Sequence, residues 1–165
     1  MQKTLNTMAN SFWGKARMGL QYMLTQSGPL SMAPSQFGIF TKSDPSLATP
    51  DLEYHVQPLS TDRLGDPLHP FPAITVSVCN LRPESIDSCH AQSTDQTVQP
   101  KIQLNYLSAE NDKRVAVASI RQARQIMSVA ALKHYRPQEI LPGPAHQDDT
   151  ALLRQAGDMI KHNAR

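Results

Sequence analysis

Between Asp51 and Asn80, apolar and polar residues alternate in two short stretches. In the first, Leu52, Tyr54 and Val56 interleave with Glu53, His55 and Gln57; in the second, Ile74, Val76 and Val78 interleave with Thr75, Ser77 and Cys79. A period of two predicts a pair of strands with one apolar face for a core and one hydrogen-bonding face that is either wet or the wall of a pocket. Residues 58–72 between them carry Pro58, Pro67, Pro70 and Pro72, which predicts an extended loop rather than a ladder strand. Elsewhere the period lengthens. Phe12, Ala16, Leu20, Met23 and Leu24 mark one side of a helix over 11–26, widened by Trp13 and Met18, with Ser11 as N-cap and Gly28-Pro29 as the stop. Core or interface packing is the expected role of Trp13. A loop, one brief strand at Phe37 to Phe40 and a second loop should follow.

A weak strand is expected around Cys89 to Gln92. A clearer one is expected where Ile102, Leu104 and Tyr106 oppose Lys101, Gln103 and Asn105. Ser108 then caps a helix in which Ala116, Ile120, Ala123, Met127 and Ala130 recur every three or four positions. Arg114, Arg121 and Gln125 fall on its solvated side, so it should lie against the sheet. Pro137, Pro142, Gly143 and Pro144 impose a loop, and Asp148 or Asp149 caps a last helix through Leu152, Leu153, Ala156 and Ile160. The expected class is α+β, a small antiparallel sheet with helices packed on one face.

Composition adjusts this picture in one respect. Thirteen prolines and an aromatic content of 5% in 165 residues leave a thin apolar interior, as in a piece that leans on a neighbour. The last helix also reaches Arg165 without a capping glycine, as though the chain were cut there. Sixteen Lys and Arg against fourteen Asp and Glu are scattered, so neither a nucleic acid nor an anionic membrane is an expected partner. No apolar run has membrane-spanning length and the N-terminus lacks the apolar middle of a secretory signal, making the cytoplasm the default compartment. Cys79 and Cys89 could pair, or bind metal with His90. No second Cys-x-x-Cys or His-x-x-x-His completes a tetrahedral set, and no metal site is expected.

Nucleotide-cradling glycine motifs, the Gly-x-Ser-x-Gly elbow and His-Glu-x-x-His are all absent from the sequence. Of six histidines, His55 lies on the polar strand face, while His69, His90, His134, His146 and His162 fall in loops or near helix ends. Any could act as a base, yet none has a visible partner. Pattern and spacing stop at an α+β domain whose polar sheet face is a candidate pocket wall.

The order of several segments goes further. "TLN", "GPLSMAPSQFGIF", "PDLEYHVQPLS", "DPLHPFPAITVSVCNLRPES" and "QPKIQLNYLS" follow one another along the chain. In this order the chain resembles the glucose–methanol–choline oxidoreductases, closest to their choline dehydrogenase and related alcohol dehydrogenase branch. The resemblance implies an FAD enzyme that takes a hydride from an alcohol carbon, with an active-site His assisting loss of the hydroxyl proton. It also implies that residues 1–165 are a partial substrate-binding domain. The family's Gly-rich FAD-binding Rossmann unit would precede it and a His-Pro-x-Gly-Thr catalytic motif would follow, so no catalytic or cofactor-binding residue is assigned within it. Ser35, Gln36, Asn80 and Arg82, with His55 on the polar strand face, match positions near the substrate cavity and are the expected substrate-binding residues. The expected partners are a small-molecule alcohol and the missing FAD domain or a partner chain. The family also allows peripheral attachment to the inner membrane. A trimethylammonium substrate would need an aromatic or acidic partner, for which Trp13, Glu53 and Tyr54 are the suppliers near the strand pair. The alternative within the family is a non-catalytic remnant that docks on a partner. One departure stands out: the family's Arg-Pro-x-Ser-Arg-Gly is Arg82-Pro83-Glu84-Ser85-Ile86-Asp87 here. Asp87 is expected to keep the turn by adopting positive φ, with the strand after it in question.

Overall fold

The structure, a computed structural model, describes residues 4–33, 35–63 and 65–163, the side chains of 161–163 excepted. The expectations for the His162 side chain and for the end of the chain at Arg165 therefore lie outside the described residues. The elements are α1 (Leu5–Ala9), α2 (Phe12–Thr25), β1 (Phe37–Thr41), β2 (Leu52–Gln57), β3 (Thr75–Asn80), β4 (Ser88–His90), β5 (Lys101–Gln103), α3 (Glu110–Met127) and α4 (Asp149–Asn163). Short 3-10 turns at Pro29–Ser31 and Ala130–Tyr135 follow α2 and α3. The class is α+β with antiparallel pairing, and the strands divide between a three-stranded sheet ordered β1-β2-β3 and a two-stranded ribbon β4-β5. Two compact units result, one of residues 1–42 and 52–79, the other of 43–51 and 80–165.

In the first unit, the alternation of β2 does what its pattern requires. Leu52 and Tyr54 are fully buried, whereas Glu53 and His55 remain partly open. Antiparallel pairing sets Ile39 opposite Tyr54 and Thr41 opposite Leu52 on the core side, and Gly38 opposite His55 on the other. Asn6 of α1 is a buried polar group with full satisfaction: its amide donates to Ser60 O (3.1 Å), Ser60 Oγ (3.0 Å) and His69 O (3.1 Å) and accepts from Ser60 N (2.9 Å). Asn10 adds a bond to His69 O at 2.9 Å, so the proline-rich loop is tied to α1 by side-chain amides rather than by a ladder.

Helix α2 starts as expected, Ser11 Oγ accepting from Gly14 N at 3.3 Å. Its packing differs from the pattern. Phe12, Trp13 and Met23 are 78, 80 and 81% exposed, and Met18 is the buried residue. The contact side is set by Gly14, which lies so close to α1 that an added Cβ would stand 2.1 Å from Met8 O, and Met18 follows one turn later. The large apolar stripe is thereby turned outward. The stop also differs: Gln26 takes the left-handed cap conformation (φ 48), ahead of Gly28.

In the second unit, Ile120 of α3 packs on Leu152 and Ala156 of α4, with Leu107, Ala116, Val117 and Met159 around them. The N-cap of α3 is Ala109, not Ser108; its N–H donates to Ser85 Oγ at 3.1 Å, a bond made across sequence that displaces the local cap. The helix ends at Met127, before Ala130, because the following residues tighten into the 3-10 turn. Arg121 and Arg124 are not simply solvated. Arg124 forks onto Glu139 (3.0 and 3.1 Å) and donates to Gly143 O and His146 O, and Arg121 donates to Asp149 and Gln147 O, which straps the 136–149 loop to α3. Asp148 caps α4 by accepting from Ala151 N at 2.8 Å.

Asp87 does not adopt positive φ, correcting the turn expected there. Its carboxylate accepts from Asn105 N at 2.8 Å while the Asn105 amide donates to Ile86 O at 3.0 Å. These two bonds flank the β4-β5 pairing of Ser88 with Gln103, so the strand after the altered motif survives on a side-chain bond.

Candidate functional site

The second unit holds a polar cavity of about 210 Å³ between the 47–51 segment, residues 80–84 and the first turns of α3. Its construction begins with Asp51. The carboxylate accepts from Ser43 N (2.7 Å) and Ser43 Oγ (2.5 Å), and its carbonyl accepts from Leu81 N (2.8 Å), closing the 43–51 loop beside Asn80 and Arg82. Asn80 Oδ1 accepts from Arg82 N at 3.0 Å, the side-chain turn that an Asn two residues ahead makes possible, and Asn80 Nδ2 donates to Asp112 at 3.3 Å. Asp112, buried in the first turn of α3, also accepts from Glu84 N (2.9 Å) and Ser85 N (2.8 Å). Burial pushes its carboxyl upward, but the bonds from Ser85, Glu84 and Asn80 outweigh that and hold it below the ordinary value.

The Arg82-Pro83-Glu84-Ser85 stretch is thus wrapped around one carboxylate. On the cavity wall a relay follows: Asn111 donates to Glu84 Oε1 (2.9 Å), Arg114 donates to Asn111 Oδ1 (2.8 Å), and Arg114 pairs with Asp44 at 3.7 Å. The exposed Asp44 carboxyl is held low by the side-chain and backbone bonds of Ser46, with Arg114 adding to them. Arg82 lines the same cavity with no partner for its guanidinium among the described residues. The wall can therefore hydrogen-bond a hydroxyl or a small polar group through Arg82 and Asn80, beside the Glu84 and Asp51 carboxylates and the Arg114 guanidinium.

The first unit holds a different cavity, about 350 Å³ and almost entirely apolar, at the open end of the core-side face of β1 and β2. Gln36 lines it together with Met32, Phe37, Val56, Pro58 and Ile74. The Gln36 N–H extends the ladder to Val56 O (2.9 Å) and its amide nitrogen donates to Ala33 O, leaving Oε1 unpaired among the described residues. Ser35 accepts a bond from Gln57 at 3.4 Å. His55 faces Glu53 at 3.5 Å on the opposite side of the sheet. Of the five expected substrate-binding residues, Asn80 and Arg82 therefore share one cavity, Gln36 lines the other, and Ser35 and His55 line neither.

Asp112, Glu84, Asn111 and Arg114 were not legible as a constellation. The available signal was Asp112 at helical spacing with Val115 and Ser119, a carboxylate on a buried stripe. Of the suppliers for a trimethylammonium, Tyr54 is fully buried, Glu53 is engaged by His55, and Trp13 is exposed on α2. Cys79 and Cys89 are free thiols, and no group of three potential metal ligands occurs among the described residues. His69 bridges Ser60 (2.9 Å) and Asp62 (3.2 Å), but Ser60 is buried and also bonded to Asn6, so this chain of bonds fixes a loop.

The described residues do not fit the adenosine diphosphate part of FAD. The passage from β5 into α3, the one strand-to-α-helix junction among them, has no glycine, and the positive-φ glycines 28, 65 and 143 stand singly in separate loops. No helix among the described residues is long and apolar enough to cross a membrane.

Comparison with known proteins gives a consistent result. A family model described as GMC oxidoreductase matches residues 83–165. Similar curated proteins include the oxygen-dependent choline dehydrogenases of Staphylococcus aureus strains JH9, Newman and N315, each 32% identical over 148 residues. The match covers 88% of this chain and 26% of each relative, so the chain spans about a quarter of their length.

Proposed function

Because the chain belongs to the GMC oxidoreductase family, we propose that it is the substrate-binding portion of an FAD-dependent alcohol dehydrogenase of the choline dehydrogenase type. The observation that carries this reading is the polar cavity. The family-matched residues supply Glu84, Asn111 and Arg114 to its wall, and Asn80 and Arg82, immediately before the matched stretch, complete it. Asn80 and Arg82, which share that cavity, bind and orient the alcohol. FAD, when bound, supplies the hydride acceptor and is held by polypeptide other than these residues. The outward stripe of α2, with Phe12 and Trp13 packed edge to face at 5.8 Å, is the surface that such polypeptide covers, whether joined to this chain or separate.

The test is visible absorbance of the purified chain, alone and co-purified with a flavin-binding polypeptide of the family. Flavin colour and its bleaching by alcohol should appear only in the second preparation. Flavin retained by the 165 residues alone, or a flavin-loaded pair that no alcohol bleaches, would overturn the proposal. The second reading, a non-catalytic remnant that docks on a partner, is favoured by the same exposed stripe. It predicts a stable pair without alcohol-dependent bleaching.

A further inference from the structure

We propose that Asp112, which does not line the polar cavity, is a positioning residue for the alcohol: acting through Asn80, it fixes which hydrogen-bonding atoms the wall presents. The inference rests on the substrate-binding reading above and deepens it at the same cavity. Asp112 is 4% exposed and lies behind the wall, whereas Asn80, Arg82, Glu84 and the adjacent Asn111 line it. Whatever it contributes must pass through its partners. Its two oxygens accept from Glu84 N at 2.9 Å, Ser85 N at 2.8 Å and Asn80 Nδ2 at 3.3 Å. Burial opposes the charge, yet these accepted bonds keep the carboxyl ionised at neutral pH. An ionised carboxylate only accepts, so the Asn80 atom facing it must be the amide nitrogen. At the other end of that amide the Arg82 N–H, at 3.0 Å, only donates, so the atom facing it must be the oxygen. Both constraints select the same one of the two orientations open to an amide. In that orientation the nitrogen, which carries two hydrogens, uses one on Asp112 and keeps one for the cavity, where the Arg82 guanidinium adds further donors. Asn80 and Arg82 thus meet an alcohol as donors to its oxygen. Asp112→Asn replaces one acceptor oxygen by a donor nitrogen. The remaining oxygen still serves the backbone N–H groups of Glu84 and Ser85, so the nitrogen is left facing Asn80, favours the reversed amide and turns Asn80 Oδ1 away from Arg82 N.

The experiment follows flavin reduction against alcohol concentration in the flavin-loaded pair, for the parent chain, Asp112→Asn, Asn80→Ala and the double variant. The probes are choline and benzyl alcohol, and the one that bleaches the parent pair at the lower concentration is carried through. Asp112→Asn should raise its half-saturating concentration by about three- to tenfold, the loss of one hydrogen bond, while the limiting rate of reduction changes by less than about twofold. In the Asn80→Ala background the same substitution should add less than about twofold, because the route through Asn80 is already gone. A merely structural role leaves half-saturation of the surviving pairs unchanged, or adds the same factor in both backgrounds; either result would overturn the inference. A second readout depends on no variant folding. In the parent 165-residue chain, the Asn80 side-chain amide should exchange its protons about threefold or more slowly than free asparagine, measured by NMR. Exchange as fast as in free asparagine would overturn the inference as well. A parent pair bleached by neither alcohol overturns the broader reading and the inference together, whereas a bleached parent with unshifted Asp112→Asn overturns the inference alone.

Discussion

Replacing Asp112 tests how the polar cavity is held together. Its carboxylate accepts from Glu84 N at 2.9 Å, Ser85 N at 2.8 Å and Asn80 Nδ2 at 3.3 Å, and it is 4% exposed. A hydrogen bond to a charged acceptor contributes about 1.5–3 kcal/mol. Water can reach the partly exposed Glu84 and Ser85 amides once the carboxylate is gone, and the Asn80 bond is long, so the lower end applies. Asp112→Ala should cost about 3 kcal/mol, and Asp112→Asn about 2 kcal/mol because one amide oxygen still accepts. Denaturant titration should show a lower midpoint with unchanged slope, and hydrogen exchange should accelerate at Glu84 and Ser85 specifically. The folded carboxyl sits below the ordinary 3.8. The unfolded chain therefore takes up the proton first, and this stabilisation is complete above the ordinary value and lost as pH falls through the folded one. Asp112→Asn should flatten the acid limb of stability in that window. A loss under about 0.5 kcal/mol, within the range of ordinary surface substitutions, or unchanged exchange at both amides, would refute the reasoning.

Other substitutions probe the remaining contacts. Gly14→Ala should destabilise by about 2 kcal/mol or more, because its Cβ meets Met8 O, whereas Gly19→Ala in the same helix has open space and should stabilise by about 0.5–1 kcal/mol; thermal melts of the two variants decide. Asn6→Ala removes four bonds from a fully buried amide and should cost about 3 kcal/mol in chemical denaturation. Arg124→Lys loses the fork onto Glu139 and should expose the 136–149 loop to limited proteolysis, with little change in α3 helicity by circular dichroism. Trp13, the single tryptophan, should emit as a water-exposed indole and shift to the blue when a flavin-binding polypeptide covers α2.

The parts of the fold that were legible are those where local pattern and burial coincide. β2 declared itself through Leu52 and Tyr54, and α3 and α4 through Ile120, Leu152 and Ala156, because a period of two or 3.6 reports a buried face directly. α1 was not legible: five residues with a buried Asn6 carry no stripe, and the sign of its start, Thr4 paired reciprocally with Thr7, is weak in sequence. The outward turn of α2 escaped pattern reasoning for another reason. Periodicity says that a face wants covering, not that the cover belongs to the same chain. Within the site, Asn80 and Arg82 came from family resemblance. Asp112 and Arg124 act through partners distant in sequence, such as Ser85 and Glu139, and a helix carboxylate or guanidinium otherwise reads as solvated.

The central claim is that this chain meets the alcohol and not the flavin. Its most direct test is the alcohol dependence of flavin reduction in the flavin-loaded pair, comparing the parent chain with Arg82→Ala. Loss of one contact should raise the half-saturating alcohol concentration by about three- to tenfold while bound flavin per chain stays constant. Unchanged half-saturation in this variant, or its loss of flavin, would contradict the account.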